Sequence, residues 1–202
     1  DIIADLVYGQ PNYTSNVSNN GGISASSLNS PTAVVLDKNR NLYIVDSGNH
    51  RILRFQNLSS TTASMVYGQP NFMANAANSG GVSRTSLNSP TAICFDEQNR
   101  MYVSDKLNNR VLIFNDDGDT IADYVLGQTD FVGNTSGVGN NKFNNPFGVF
   151  VDNAGGLYVA DNGNHRVLYF KYPFTKDSAD TVLGQSDFNG NIANNGGLSA
   201  FT

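Results

Sequence analysis

The stretch PTAVVLDKNRNLYIVDSGNHRILRF, residues 31–55, occurs three times in this chain. PTAICFDEQNRMYVSDKLNNRVLIF fills residues 90–114 and PFGVFVDNAGGLYVADNGNHRVLYF residues 146–170, so the copies start 59 residues (31 to 90) and 56 residues (90 to 146) apart. A repeat of this length is one supersecondary unit whose apolar surface must be buried by its neighbours. The chain is therefore read as a repeat protein.

Each copy predicts three short strands. Ala33–Leu36 is apolar and β-branched, and it follows a proline that can open a strand without losing a ladder bond. Residues 37–41 are a polar turn, in which Asp37, and Asp96 and Asp152 after it, act as caps. Leu42–Val45 is the second strand, with alternating exposure expected from its period of two, and Ile52–Phe55 is the third. Between them lies a corner, Asp46-Ser-Gly-Asn-His-Arg51, repeated as residues 105–110 (DKLNNR) and 161–166 (DNGNHR). A hairpin corner needs an acceptor for backbone N–H groups, a Gly or Asn that tolerates positive φ, and a tie to the next strand. Asp46, Asn49 and Arg51 suit those roles, as do Asp105, Asn108 and Arg110, and Asp161, Asn164 and Arg166. Recurrence in every copy marks this motif as structural, since a single binding site has no reason to repeat.

A fourth strand is expected at residues 5–10 (DLVYGQ), 64–69 (SMVYGQ), 123–128 (DYVLGQ) and 180–185 (DTVLGQ). Four antiparallel strands per unit point to the blade of a β-propeller. The segments between units, such as residues 11–30, are rich in Asn, Ser and Gly and read as polar, irregular loops rather than packed structure. An aromatic residue recurs in them at Tyr13, Phe72, Phe131 and Phe188, as an anchor for each loop's start.

The pattern P-x-x-V-x-x-D followed by N-x-Y-V-x-D-x-x-N-x-R-[IV]-x-x-F resembles the NHL repeat, the blade unit of NHL β-propellers. The middle copy departs from it at Lys106-Leu107. The resemblance implies an all-β propeller with blade cores at about 31–69, 90–128 and 146–185. Residues 1–10 and 186–202 are then partial blades or loop, and the single region 1–202 is an arc of a six-bladed ring, within a longer chain or an oligomer. In zinc-dependent amidating lyases of the NHL-like group, the resemblance places a metal-binding His directly after the strand-opening proline. Here those positions are Thr32, Thr91 and Phe147, none of them an imidazole. Lactonase-type propellers hold a divalent ion with channel Glu, Asn and Asp, and the innermost strands here are mostly apolar. No metal, cofactor or catalytic residue is expected from these positions.

The net charge is −5, with seventeen acids against twelve lysines and arginines, three of which belong to the corners. That leaves no basic cluster for nucleic acid. No apolar run is long enough to span a bilayer. Cys94, the single cysteine, reads as a small buried apolar residue. Asn12, Asn16, Asn57 and Asn134 stand in N-glycosylation sequons. The expected role is non-enzymatic: a binding or scaffolding propeller, extracellular or at the cell surface, for a protein or glycan ligand, with Thr32, Thr91 and Phe147 as candidate contacts at the channel mouth. The alternatives are a subunit that self-associates through open blade edges, and part of a metal-dependent lyase or lactonase whose site lies in further blades.

Overall fold

The computed structural model describes residues 3–194 and Gly197. Residue 196 and the segment 198–202, where a further blade was expected to begin, lie outside the described residues.

Among the described residues, twelve strands form three four-stranded antiparallel sheets. The first holds β1 (Pro31–Leu36), β2 (Leu42–Asp46), β3 (Arg51–Phe55) and β4 (Met65–Tyr67) in that order. The second holds β5 (Pro90–Phe95), β6 (Met101–Asp105), β7 (Arg110–Phe114) and β8 (Tyr124–Leu126). The third holds β9 (Pro146–Val151), β10 (Leu157–Asp161), β11 (Arg166–Phe170) and β12 (Thr181–Leu183). The opening strands β1, β5 and β9 lie side by side, so the sheets stand as consecutive blades of a propeller, and the described residues make an open arc of it.

Residues 5–10 depart from expectation: they form no strand. A fourth strand exists only against a third, and among the described residues no third strand precedes it. Tyr8 instead packs edge-on to Phe55, ring centroids 5.1 Å apart.

Local chemistry sets the turns. In the β1–β2 connection, Asp37 Oδ1 accepts the N–H of Asn39 at 2.9 Å and of Asn41 at 2.8 Å. Asp96 and Asp152 repeat this with the residues two and four positions on. Short-range carboxylate acceptors of this kind close a turn that the backbone alone leaves open. Gly127 shows how tightly the β8 end is packed: it has φ +90°, and a Cβ there would sit 2.2 Å from Phe143 Cδ2. Only glycine fits.

The core lies between blades. Tyr43, Val45 and Ile52 of the first blade face Ile93, Met101, Val103, Leu112 and Phe114 of the second. Tyr102, Val111 and Ile113 meet Leu157, Val159, Leu168 and Phe170 of the third. A third cluster, with Leu42, Ile44, Leu53 and Phe55, covers the other face of the first blade with help from Leu28. This corrects the alternating exposure expected of the second strands. All five residues of β2 and of β6 are buried. Side chains do alternate in direction, but each face meets a neighbouring layer. β10, in the last blade, keeps an alternating pattern of buried and half-buried residues.

Blades are also joined by polar contacts. His50 Nδ1 accepts the Ser89 N–H at 2.9 Å, and Asn109 Oδ1 accepts the Asn145 N–H at 2.8 Å. In both, the donor is the residue before the next blade's opening proline. Thr91 and Ser104 add hydroxyl donors to the carbonyls of Phe147 and Pro146, at 2.7 and 2.8 Å. Burial holds the His50 imidazole below its ordinary pKa, against the pull of Asp105 and Asp46, as its acceptor role requires. The unfolded chain then takes up a proton that the folded chain refuses. His50 therefore withdraws stability as pH falls from above the unfolded value of about 6.5 toward the lower folded value. His50→Asn, which copies the second blade, is expected to flatten the fall in stability between about pH 7 and about pH 5 while keeping the pH 7 stability. Urea unfolding at the two pH values checks this.

Candidate binding face

The corner motifs sit where the second strand hands over to the third. In each, the acid ends the second strand, a single 3-10 turn follows, and the arginine opens the third strand directly opposite the acid. The left-handed residue is neither the glycine nor the first asparagine of the motif, as expected, but the fifth position: His50 (φ 54°), Asn109 (φ 52°) and His165 (φ 53°). Gly48 serves another purpose. A Cβ there would lie 2.6 Å from Asn29 Cγ, so the glycine lets the incoming loop approach.

Arg51 and Asp46 are both fully buried and form an ion pair at 2.7 Å through Nε. The rest of the guanidinium serves the loops. Nη1 donates to the Phe72 carbonyl at 2.6 Å, and Nη2 to the Ser24 and Ser27 carbonyls at 2.9 Å each. Asp46 Oδ1 accepts the Asn29 N–H at 2.7 Å, and Oδ2 takes Asn49 Nδ2 at 2.8 Å as well as the guanidinium. Asn49 and Asn19 exchange amide hydrogen bonds.

Arg110 repeats the set with Asp105, Phe131, Ser83 and Ser86, and Asn108 exchanges with Asn78. Arg166 repeats it with Asp161, Phe188, Gly139 and Lys142, while Asn164 donates to the Gly137 carbonyl. Burial pushes the Asp105 and Asp161 carboxyls up from their ordinary value, opposed by the arginines and by the amide donors. All nine motif residues are buried and bonded, which removes them from any solvent-facing chemistry.

The loops are packed, contrary to the reading from composition. Leu28, Leu87 and Phe143 are buried, and loop carbonyls are the acceptors of the arginines. A buried guanidinium has five N–H donors to satisfy, and folded loop backbone supplies what side chains do not. Each loop also has a clamp that the sequence reading missed. Gln10, Gln69, Gln128 and Gln185 each donate through Nε2 to the carbonyl seven residues on, at 2.9–3.0 Å. The signal was present, a glutamine after the glycine in every fourth-strand copy. Phe72, Phe131 and Phe188 pack against the blade cores, whereas Tyr13 is exposed.

The channel-mouth candidates part company. Thr91 is buried and its hydroxyl is engaged by the next blade, while Thr32 and Phe147 are exposed, with Lys106 Nζ 5.8 Å from the centre of the Phe147 ring. Asn12, Asn16, Asn57 and Asn134 are all exposed. Burial pushes the Cys94 thiol up to about 12, so it stays protonated and a poor nucleophile. Among the described residues no group of three or more His, Cys, Asp or Glu is placed to hold a metal ion, and no helix is long and apolar enough to cross a membrane.

The profile of the NHL repeat matches residues 28–55 and 143–170, each a corner with its flanking strands. The chain carries NHL repeats. The middle blade, outside those matches, has the same strands and the same Asp–Arg pair. Among solved structures the arc is similar to a streptogramin B lyase (12% identity, 80% of this chain and 41% of that one, TM-score 0.50). It is also similar to a functionally unknown protein from Desulfotomaculum acetoxidans (14%, 81% and 46%, TM-score 0.50). A virginiamycin B lyase from Staphylococcus aureus aligns at 13% identity over 80% of this chain and 42% of that one, TM-score 0.49. At such identities the likeness is one of fold, and the chain spans about two fifths of the length of those lyases. No curated protein matches in sequence.

Arg110→Ala would leave the Asp105 carboxylate buried without its cation. It is expected to lower stability by about 3–5 kcal/mol, read by denaturant titration, with a smaller loss for the double change with Asp105→Leu.

Proposed function

We propose that this NHL arc is a non-enzymatic recognition module that presents the loop end of its blades to a protein or glycan partner outside the cell. The observation that carries the reading is a division of labour within the loops. Their bases are fastened by the glutamine clamps and the corner arginines, while Val17, Met73, Val132 and Ile192 project into solvent, each more than 60% exposed. Apolar side chains held out on a rigid base suit binding. The exposed sequons agree with an extracellular setting, and the net charge of −5 disfavours nucleic acid.

The test uses a glycan array and the secreted proteins of the source organism as probes. The wild-type chain is expected to retain one defined glycan or protein class. The combined variant Val17→Ser, Met73→Ser, Val132→Ser, of surface positions that should shift stability by no more than about 0.5 kcal/mol each, is expected to bind at least about ten-fold more weakly. Retention that ignores the variant, no retention at all, or chemical turnover of a bound compound would count against this reading.

A second reading, assembly through blade edges, is favoured by one observation. His165 has the left-handed geometry of His50 and Asn109 but is exposed. It borders an open cavity of about 450 Å³ with Phe147, Ala160 and Leu183. Light scattering over a concentration series is expected to show mass rising with concentration in wild type and less so in His165→Ala. A constant monomer mass would exclude it.

A further inference from the structure

The two described blade junctions differ most in one row of side chains. Across β2, β3 and β4 the residues Tyr43, Arg54 and Met65 lie in register, and they line the first junction together with Tyr67, Phe95 and Phe114. In the second junction the same row is Tyr102, Ile113 and Tyr124. There Ile113 is fully buried, and Phe174 closes the space with its ring 5.0 Å from Tyr124 and 6.0 Å from Tyr102. The first junction has a guanidinium in place of the isoleucine and no counterpart of Phe174. It encloses a cavity of about 80 Å³.

Arg54 is not paired there. Its Nε is buried and has no hydrogen-bond partner, and among the described residues no carboxylate stands within 4.0 Å of its guanidinium. The acid at the cavity wall, Asp116, is held elsewhere: Asn99 Nδ2 donates to it at 2.9 Å and Lys38 Nζ lies 3.8 Å away. An orphan buried donor in a folded protein calls for a partner. Burial raises the hydroxyl pKa of both Tyr43 and Tyr67, so both remain protonated at neutral pH, and their hydrogen bond to each other leaves one hydroxyl proton to donate to a further acceptor. A guanidinium beside a hydroxyl donor and flanked by aromatic and thioether carbon matches one chemistry well: a carboxylate with a short apolar tail, held by charge-assisted hydrogen bonds.

We propose that the junction of the first two blades binds a short-chain carboxylate on Arg54. Acetate is the probe, titrated against the 202-residue chain at constant ionic strength with chloride as the balancing anion. Thermal unfolding and isothermal titration are expected to show saturable acetate binding and a rise in Tm that chloride does not give. Arg54→Ile copies the second junction and should fold; it is expected to weaken acetate binding by at least about ten-fold. Tyr67→Phe keeps the cation and provides a second variant, expected to weaken binding by a smaller factor. Absence of saturable binding in wild type would mean that the cavity holds only water and would overturn the proposal, as would binding that survives Arg54→Ile.

Discussion

A guanidinium taken wholly out of water governs this architecture. Each blade buries one at its corner, and a buried arginine is tolerated only when its charge is matched and every N–H finds an acceptor. The paired aspartate satisfies one donor. The remaining acceptors are carbonyls of two separate loops, the one entering the blade and the one leaving it. A single side chain thus fixes three stretches of chain. The loops owe their order to the corner, and the corner owes its solvation to the loops.

Packing between blades follows a different logic, one of shape and apolar area. Every strand alternates its side chains, and both sets are buried only where both faces of the blade are covered. The first blade, covered by the Leu28 cluster on one face and the next blade on the other, and the middle blade, between two neighbours, show continuous burial in their second strands; the third described blade does not, although the sequences LYIVD, MYVSD and LYVAD are nearly interchangeable. Burial here is a property of position in the stack, added to what each strand contains.

That distinction explains what could be read from the chain and what could not. Strand order, the four-stranded unit and the Asp–Arg tie were legible because period-two patterning and short-range turn chemistry are local, and the chain states them three times. Packing of the loops was not legible, since backbone carbonyls are the acceptors and carbonyls have no signature in a sequence. The glutamine clamp was visible in principle, at the same offset from every fourth strand, but its meaning depends on a carbonyl seven residues away. The left-handed residue of the corner was misplaced for a similar reason. Histidine and asparagine occupy it because their side chains accept an N–H from the next blade, a contact between residues 36 and 39 positions apart. At the candidate face the sequence offered Thr32, Thr91 and Phe147 as equivalents, and the neighbouring strand made Thr91 different by taking its hydroxyl.

The junction rule has an evolutionary consequence. Each blade ends its corner with an acceptor and begins with an N–H just ahead of a proline, so any blade is chemically fitted to follow any other. Duplication or deletion of one unit of 56–59 residues leaves every remaining junction with its donor and acceptor in place. The number of blades in such a ring is then set by how the wedge angle of the sheets closes the circle rather than by a code at each seam. A lineage can lengthen or shorten its propeller without having to reinvent the joints.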